Sequence, residues 1–489
     1  MKKRSTRKAG ALALVLTAAL AVTACGSNNA SGGEGDAEKP VNLIWYTIGA
    51  PQKDTDKVMA EVNKYTAEKI GATVTMKQID FGDYNQKMGV MAASGEPMDI
   101  LFTASWAFDY VQNARKGAFM EIDDLLQTHG KGIVETLDPA FLEGSKVDGH
   151  NYGVPANKEL PAQSVWRFNK QQFDQLGMDY KQATTLESLE PFLKAGKEKL
   201  PGVLGLKIDT NFTPTVPYDY LIQNLPIAVA LNGDSSKIVN VLETPEMKQA
   251  LETMHKYYKA GYISPEAATI TSTSDLDKTG KWLIDRADTQ PLADNTWSAS
   301  LGYPIVSTPA SESIVYNWSV MGSLQAISAN SEYPEKAMEF LNLLNTDAKL
   351  RNLIDSGIEG THYKLTGDNR MENLPESKNY DMPTFSLGNV MLTYLNPGDP
   401  DDKWEQFKQF NEQGRPSPAL GFNFDTSKVS TELASLQNVK AEVWAPLMTG
   451  TVDPAAYLPR AIEKMKAAGL DKIIAEAQAQ YDAWKATQK

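Results

Sequence analysis

Cys25 is the only cysteine among 489 residues, so no disulfide can hold this chain and its order must come from core, hydrogen bonds and ion pairs. Its position narrows the reading further. Lys2, Lys3, Arg4, Arg7 and Lys8 open the chain, an alanine- and leucine-rich run follows from Ala9 to Ala21, and Val22-Thr23-Ala24 leads into Cys25-Gly26. A basic start and a short apolar run ahead of a processing junction read as a secretory signal over residues 1–24, too short to be a transmembrane span. The other reading of Cys25 is a small buried hydrophobe; its place at this junction argues for attachment of lipid instead.

Removing that segment takes five of the 48 Lys and Arg and leaves 43 against 61 Asp and Glu, a formal net charge of −18. Such a surface repels nucleic acid and anionic lipid. The remaining length is enough for two or three structural units. Without a second cysteine, CxxC metal sites and thiol redox chemistry are excluded, and no later segment has the apolar length needed to cross a bilayer. Residues 25–40, Cys25 followed by a glycine-rich polar stretch, read as a flexible tether. The expectation is an acidic soluble body held outside the cytoplasm.

Within that body, Val41, Leu43 and Trp45 share one face of an expected strand, a helix capped by Asp54 runs to Ile70, and Ala72–Ile79 alternates as a second strand. Strand, helix, strand begins an α/β sheet. Further strands are expected at Met98–Phe102, at Ser164–Lys170 before a helix, and at Met321–Ile327. A helix after Pro334 places Ala337, Phe340, Leu341 and Leu344 on one face, and the last fifty residues read as mainly helical.

The start of the chain resembles a bacterial lipoprotein signal, in which the cysteine thiol is acylated; leucine is commoner than Val22 at the first position of that motif. The body resembles the extracellular solute-binding proteins of ABC importers, of the large two-lobed type that includes maltose-binding protein. The resemblance rests on Ser94–Ile100, Lys116–Leu126, Val147–Pro155, Phe168-Asn169-Lys170 and Tyr333–Leu341 in this order. A narrower likeness, to the LplA-like Gram-positive lipoproteins, rests on Asn157-Lys158-Glu159, Gly357–Tyr363, Gly421–Asp425 and the tail. The resemblance implies a type II periplasmic-binding-protein-like α/β fold of two hinged lobes with an added helical C-terminal region. It divides the chain into residues 41–157 with 305–346, and 158–304 with 347–489. It also implies a monomer that needs no cofactor or metal, is anchored to the outer face of the membrane through Cys25, and delivers solute to ABC permease subunits.

A carbohydrate in such a cleft needs flat rings against its C–H faces and planar polar groups for its hydroxyls. The candidates are Tyr46, Trp106, Asp109, Lys158, Glu159, Asn295, Trp297, Asn317, Trp318 and Tyr363. Trp106 and Trp297 follow expected strands. Tyr46 and Trp318 divide evenly between cleft and core, and Lys158 and Glu159 between a ligand role and a solvated hinge. Trp45 reads as core, Arg167 as surface, and Trp282, Trp404, Trp444 and Trp484 as packing residues. Peptide is the second ligand class. An extracytoplasmic glycosidase needs only two suitably spaced carboxylates, but no HExxH, GxSxG or GxxxxGK[ST] motif is present and the four histidines are scattered. Asp399-Pro400-Asp401-Asp402 lacks the ligand spacing of a calcium loop and reads as a solvated turn. A sensing or adhesive lipoprotein of the same fold is a third alternative.

Overall fold

The computed structural model describes residues 39–488; the signal segment, Cys25 and nearly all of the tether lie outside them. Val41–Ile48 pairs in parallel with Ala72–Ile79 on one side and with Ile100–Thr103 on the other. Leu324–Ile327 then joins antiparallel, followed by Gly153–Pro155. Helix Thr55–Ile70 connects the first two strands, burying Val58 and Val62 beside Leu43 and Trp45. Helix Pro334–Thr346 covers the same core, with Ala337, Phe340, Leu341 and Leu344 all fully buried, as its period of 3.6 predicts.

A second sheet runs Ile305–Pro309, Ser164–Asn169, Trp282–Asp288, Leu204–Leu206. Its core of Trp166, Phe168, Leu193, Tyr257 and Ile284 is separate from the first. Beside it, the three-stranded sheet of Tyr218–Tyr220, Ile227–Ala230 and Ile238–Asn240 is covered by the C-terminal helices Ser430–Met448, Pro454–Ala467 and Leu470–Thr487. Gly450 allows this docking: its φ is +73°, and an added Cβ would lie 2.3 Å from the Met254 backbone.

Between the two main sheets the chain crosses near Ala162, at Ile314–Val315 and at Arg415–Pro416, the last two paired in parallel and the first bridged to Ile314. Asn411 fastens the first crossing by accepting from the Leu160 amide at 2.8 Å and donating to the Lys158 carbonyl at 2.9 Å.

The expected boundaries at 305 and 347 both differ from the structure. Ile305–Pro309 is an edge strand of the second sheet, so the return to the first lobe comes after the 314–315 crossing. Residues 347–392 stay with the first lobe: Leu350, Ile354, Tyr380, Met382 and Leu387 join its core. Fully buried Arg351 ties this segment down, pairing with Asp355 at 3.0 Å and donating to the carbonyls of Asn389 at 3.1 Å and Thr384 at 2.9 Å. Asp54 occupies the N-cap position without a side-chain capping bond, because its carboxylate faces Nε2 of buried His362 at 3.1 Å.

Candidate functional site

A cavity of about 630 Å³ opens where the loops after the first-sheet strands meet the second lobe. It adjoins one of about 470 Å³, with which it shares Ala162, Gln223, Asp288 and Trp318, and one of about 370 Å³, with which it shares Lys158, Glu159, Gln290, Thr296 and Phe385. Together they form one extended cleft at the ends of the sheets, where open α/β folds bind ligands.

The first-lobe wall is aromatic. Trp106, in the loop after Ile100–Thr103, is 49% exposed, and its Nε1 donates to the Gly322 carbonyl at 2.9 Å, fixing the ring. Phe81 stacks beside it at 6.4 Å and 13°, and Phe385 lies 6.2 Å away at a tilt. Opposite, helix Ala293–Leu301 carries Trp297. Behind that ring sits the Arg167 guanidinium, 4.8 Å from the ring centre and held by Asp285 through two bonds of 2.8 and 2.6 Å. Asp285 also takes Lys207 at 2.8 Å. Burial disfavours the Arg167 charge, but the bonds and charge of Asp285 outweigh it, so Arg167 holds its proton more tightly than a free arginine. A largely buried ion pair under an aromatic ring is a rigid mount, the reverse of the surface placement expected for Arg167.

Between the walls, Trp318 stacks on Tyr316 at 5.4 Å and 14°. Lys158 and Glu159 pair with each other at 2.6 Å and line the cleft at the first crossing. Thus Trp106, Lys158, Glu159, Trp297 and Trp318 are brought together, as expected of a common site. The other five candidates do not line it. Tyr46 is 4% exposed, with its hydroxyl accepting from Lys77 at 2.7 Å. Asp109 caps a helix through the Gln112 amide at 2.8 Å. Asn317 grips the 419–422 loop, accepting from Gly421 N at 2.7 Å and donating to the Phe422 carbonyl. Tyr363 is buried against Tyr394, and Asn295 is exposed on its helix outside the lining.

Sequence reasoning missed Phe385, Tyr218, Tyr220 and Arg286, which line the cavities, and Phe81, which stacks on Trp106 without lining them; Trp404, expected to pack, lines the third cavity. Phe81 was findable: it follows Ala72–Ile79 as Trp106 follows its own strand. Phe385 was not, since it lies in the 347–392 segment assigned to the wrong lobe. Two carboxyls are pushed up by burial, Asp109 and Asp219; both face helix or loop partners and neither lines the cleft. His362 is fully buried, its Nδ1 accepting from the Ile358 amide at 2.9 Å, and has a structural part. In the 399–402 turn, Lys403 takes Asp399 and Arg370 takes Asp401.

Two α/β lobes, chain crossings between them and a cleft lined from both sides define a solute-binding protein of the maltose-binding-protein type. The chain belongs to the bacterial extracellular solute-binding protein family, whose profile matches residues 60–358; residues 418–486 match a second profile, a domain of unknown function. It is 36% identical over 490 residues to a carbohydrate ABC transporter substrate-binding protein of Streptococcus pneumoniae, covering 98% of each chain. The crystal structure of the N-glycan transport solute-binding protein NgtS from the same organism matches with TM-score 0.84 at 34% identity, covering 92% of this chain and 100% of that one. The structure of NgtS with Man5GlcNAc matches with TM-score 0.70 at 34% identity, over 92% of this chain and 99% of that one.

Proposed function

We propose that this protein captures an oligosaccharide of the N-glycan type outside the cell, closes its lobes on it and passes it to the permease subunits of an ABC importer, acting as a monomer anchored through lipid on Cys25. The observation that carries this reading is a pair of tryptophans from the two lobes lining one cavity, Trp106 fixed by Gly322 and Trp297 mounted on Arg167. Each presents a flat apolar face suited to a sugar ring. Lys158, Glu159 and Gln290 between them can bond hydroxyls. Similarity to NgtS supports the glycan class. The difference between two NgtS structures, 0.84 for one and 0.70 for the complex with Man5GlcNAc, supports a fold whose lobes can change their arrangement about a hinge.

Binding to the native state alone raises stability by RT ln(1 + [L]/Kd), about 2.7 kcal/mol at one hundred times Kd. Thermal unfolding against Man5GlcNAc, other oligosaccharides and short peptides tests the reading. A rise with an oligosaccharide recovered unchanged is the expected result. A rise with peptides alone removes the carbohydrate assignment, and cleavage of the sugar replaces binding with glycosidase activity.

A further inference from the structure

At the end of the cleft away from Trp106, the cavity of about 470 Å³ contains a cation with donors to spare. Arg286, on strand Trp282–Asp288, lines it with Tyr218, Tyr220 and Tyr316. Its Nη1 donates to the Thr213 carbonyl at 2.6 Å and to Thr215 Oγ1 at 3.2 Å, and the guanidinium lies 5.3 Å from the Phe212 ring centre. Among the described residues no carboxylate forms an ion pair with it, and Nε and Nη2 have no acceptor. Burial therefore weakens its hold on the proton, against the behaviour of Arg167 in the same sheet. The Tyr220 hydroxyl is buried in the same wall and also lacks a partner.

The acids around Arg286 do not supply what it lacks. Asp288 is exposed and its carboxylate accepts from the Ser164 hydroxyl at 2.8 Å, and Asp285 is taken by Arg167 and Lys207; their charges favour the guanidinium without outweighing its burial, and neither forms an ion pair with it. Glu312 is taken by Arg415 at 2.6 Å. A half-buried guanidinium whose Nε and Nη2 edge is free offers two parallel donors, the geometry that fits a carboxylate. Neutral hydroxyls would accept these hydrogen bonds but leave the charge uncompensated.

We infer that this end of the cleft is a subsite for the carboxylate of an acidic sugar, a sialic or uronic acid residue within the bound oligosaccharide. The inference rests on the oligosaccharide reading above and specifies one chemical group of the ligand. The carboxylate replaces water at Nε and Nη2, while the neighbouring sugars continue toward Trp318 and the aromatic walls.

Calorimetric titration of the purified protein tests it with two matched pairs and one neutral reference. The pairs are a sialylated biantennary N-glycan with its desialylated form, and trigalacturonate with its methyl ester; the reference is Man5GlcNAc. At least one acid is expected to bind about tenfold or more tightly than its neutral counterpart, and the pair that shows this tells sialic from uronic acid. In Arg286→Gln that ratio falls to about one, and in Arg286→Lys part of it remains. Equal binding within both pairs, or a preference that survives Arg286→Gln, overturns the subsite. Should Arg286→Gln fail to fold, the wild-type pairs and Arg286→Lys still decide. Man5GlcNAc binding without any acid preference removes the subsite alone, whereas no binding of any of these sugars removes the oligosaccharide reading with it.

Discussion

Trp297 depends on what lies behind it. The Arg167 guanidinium below its ring contributes about 0.5–2 kcal/mol as a cation–π contact and is itself fixed by Asp285. Trp106→Ala and Trp297→Ala are each expected to weaken oligosaccharide binding by about 1–3 kcal/mol, read by calorimetry. For Trp106→Ala the unliganded melting temperature falls only modestly, because about half of the side chain is already in water while the rest packs on Phe81, Phe102 and Phe385. Arg167→Met acts on both quantities. It leaves Asp285 with Lys207 as its remaining cation, costs about 3 kcal/mol of stability as a broken buried pair and weakens sugar binding through Trp297; unchanged affinity in a folded Arg167→Met would remove the mount. At this scale position is most legible where a residue follows a strand: Trp106 lies in the loop after Ile100–Thr103 and lines the cleft. It is least legible where pairing partners are distant in the chain: Arg167 lies 118 residues from Asp285, and no local pattern announces the pair.

Among the elements, period-two and period-3.6 patterns carried far. Ala72–Ile79 and the start of helix Pro334–Thr346 lie where the residues indicate, since a single buried face selects one register. The 347–392 segment contains helix Ala348–Ser356, whose Leu350 and Ile354 join the first-lobe core, but what ties it to that lobe is pairing between distant residues, buried Arg351 with the Asn389 and Thr384 carbonyls, which no local pattern announces. Docking of the C-terminal helices has one sensitive point. Gly450→Ala places a methyl against the Met254 backbone at a positive φ and should cost more than about 2 kcal/mol by denaturant unfolding. Strand Tyr218–Tyr220 adds a pH dependence. Burial pushes the Asp219 carboxyl up to about 7, against the lowering effect of its bond from Ser417. The native state thus binds a proton that the unfolded chain has released between about pH 4 and 7. Stability from this group is complete below the unfolded value, declines as pH rises through that window and levels off above it. Asp219→Asn removes the proton and should flatten the stability profile over the same range; a profile unchanged by the substitution would contradict the burial argument.

For the whole molecule, the two-lobed architecture was legible from the order of its motifs, but the positions of the two later crossings between lobes were not. Crossing strands such as Ile314–Val315 are two residues long and satisfy themselves by pairing with Arg415–Pro416 a hundred residues later. Anchoring belongs to this scale as well. Cys25→Ala is expected to release the protein from cells into the medium with its sugar affinity intact, measured by fractionation; retention at the membrane would contradict the lipid anchor. The central claim is that both lobes grip one oligosaccharide through Trp106 and Trp297. It is tested most directly by titrating Man5GlcNAc into the wild type and Trp297→Ala side by side in a calorimeter. The account predicts saturable one-to-one binding by the wild type and a Kd larger by about 1–3 kcal/mol equivalent in the variant. No binding by the wild type, or equal affinity in the two proteins, would contradict it.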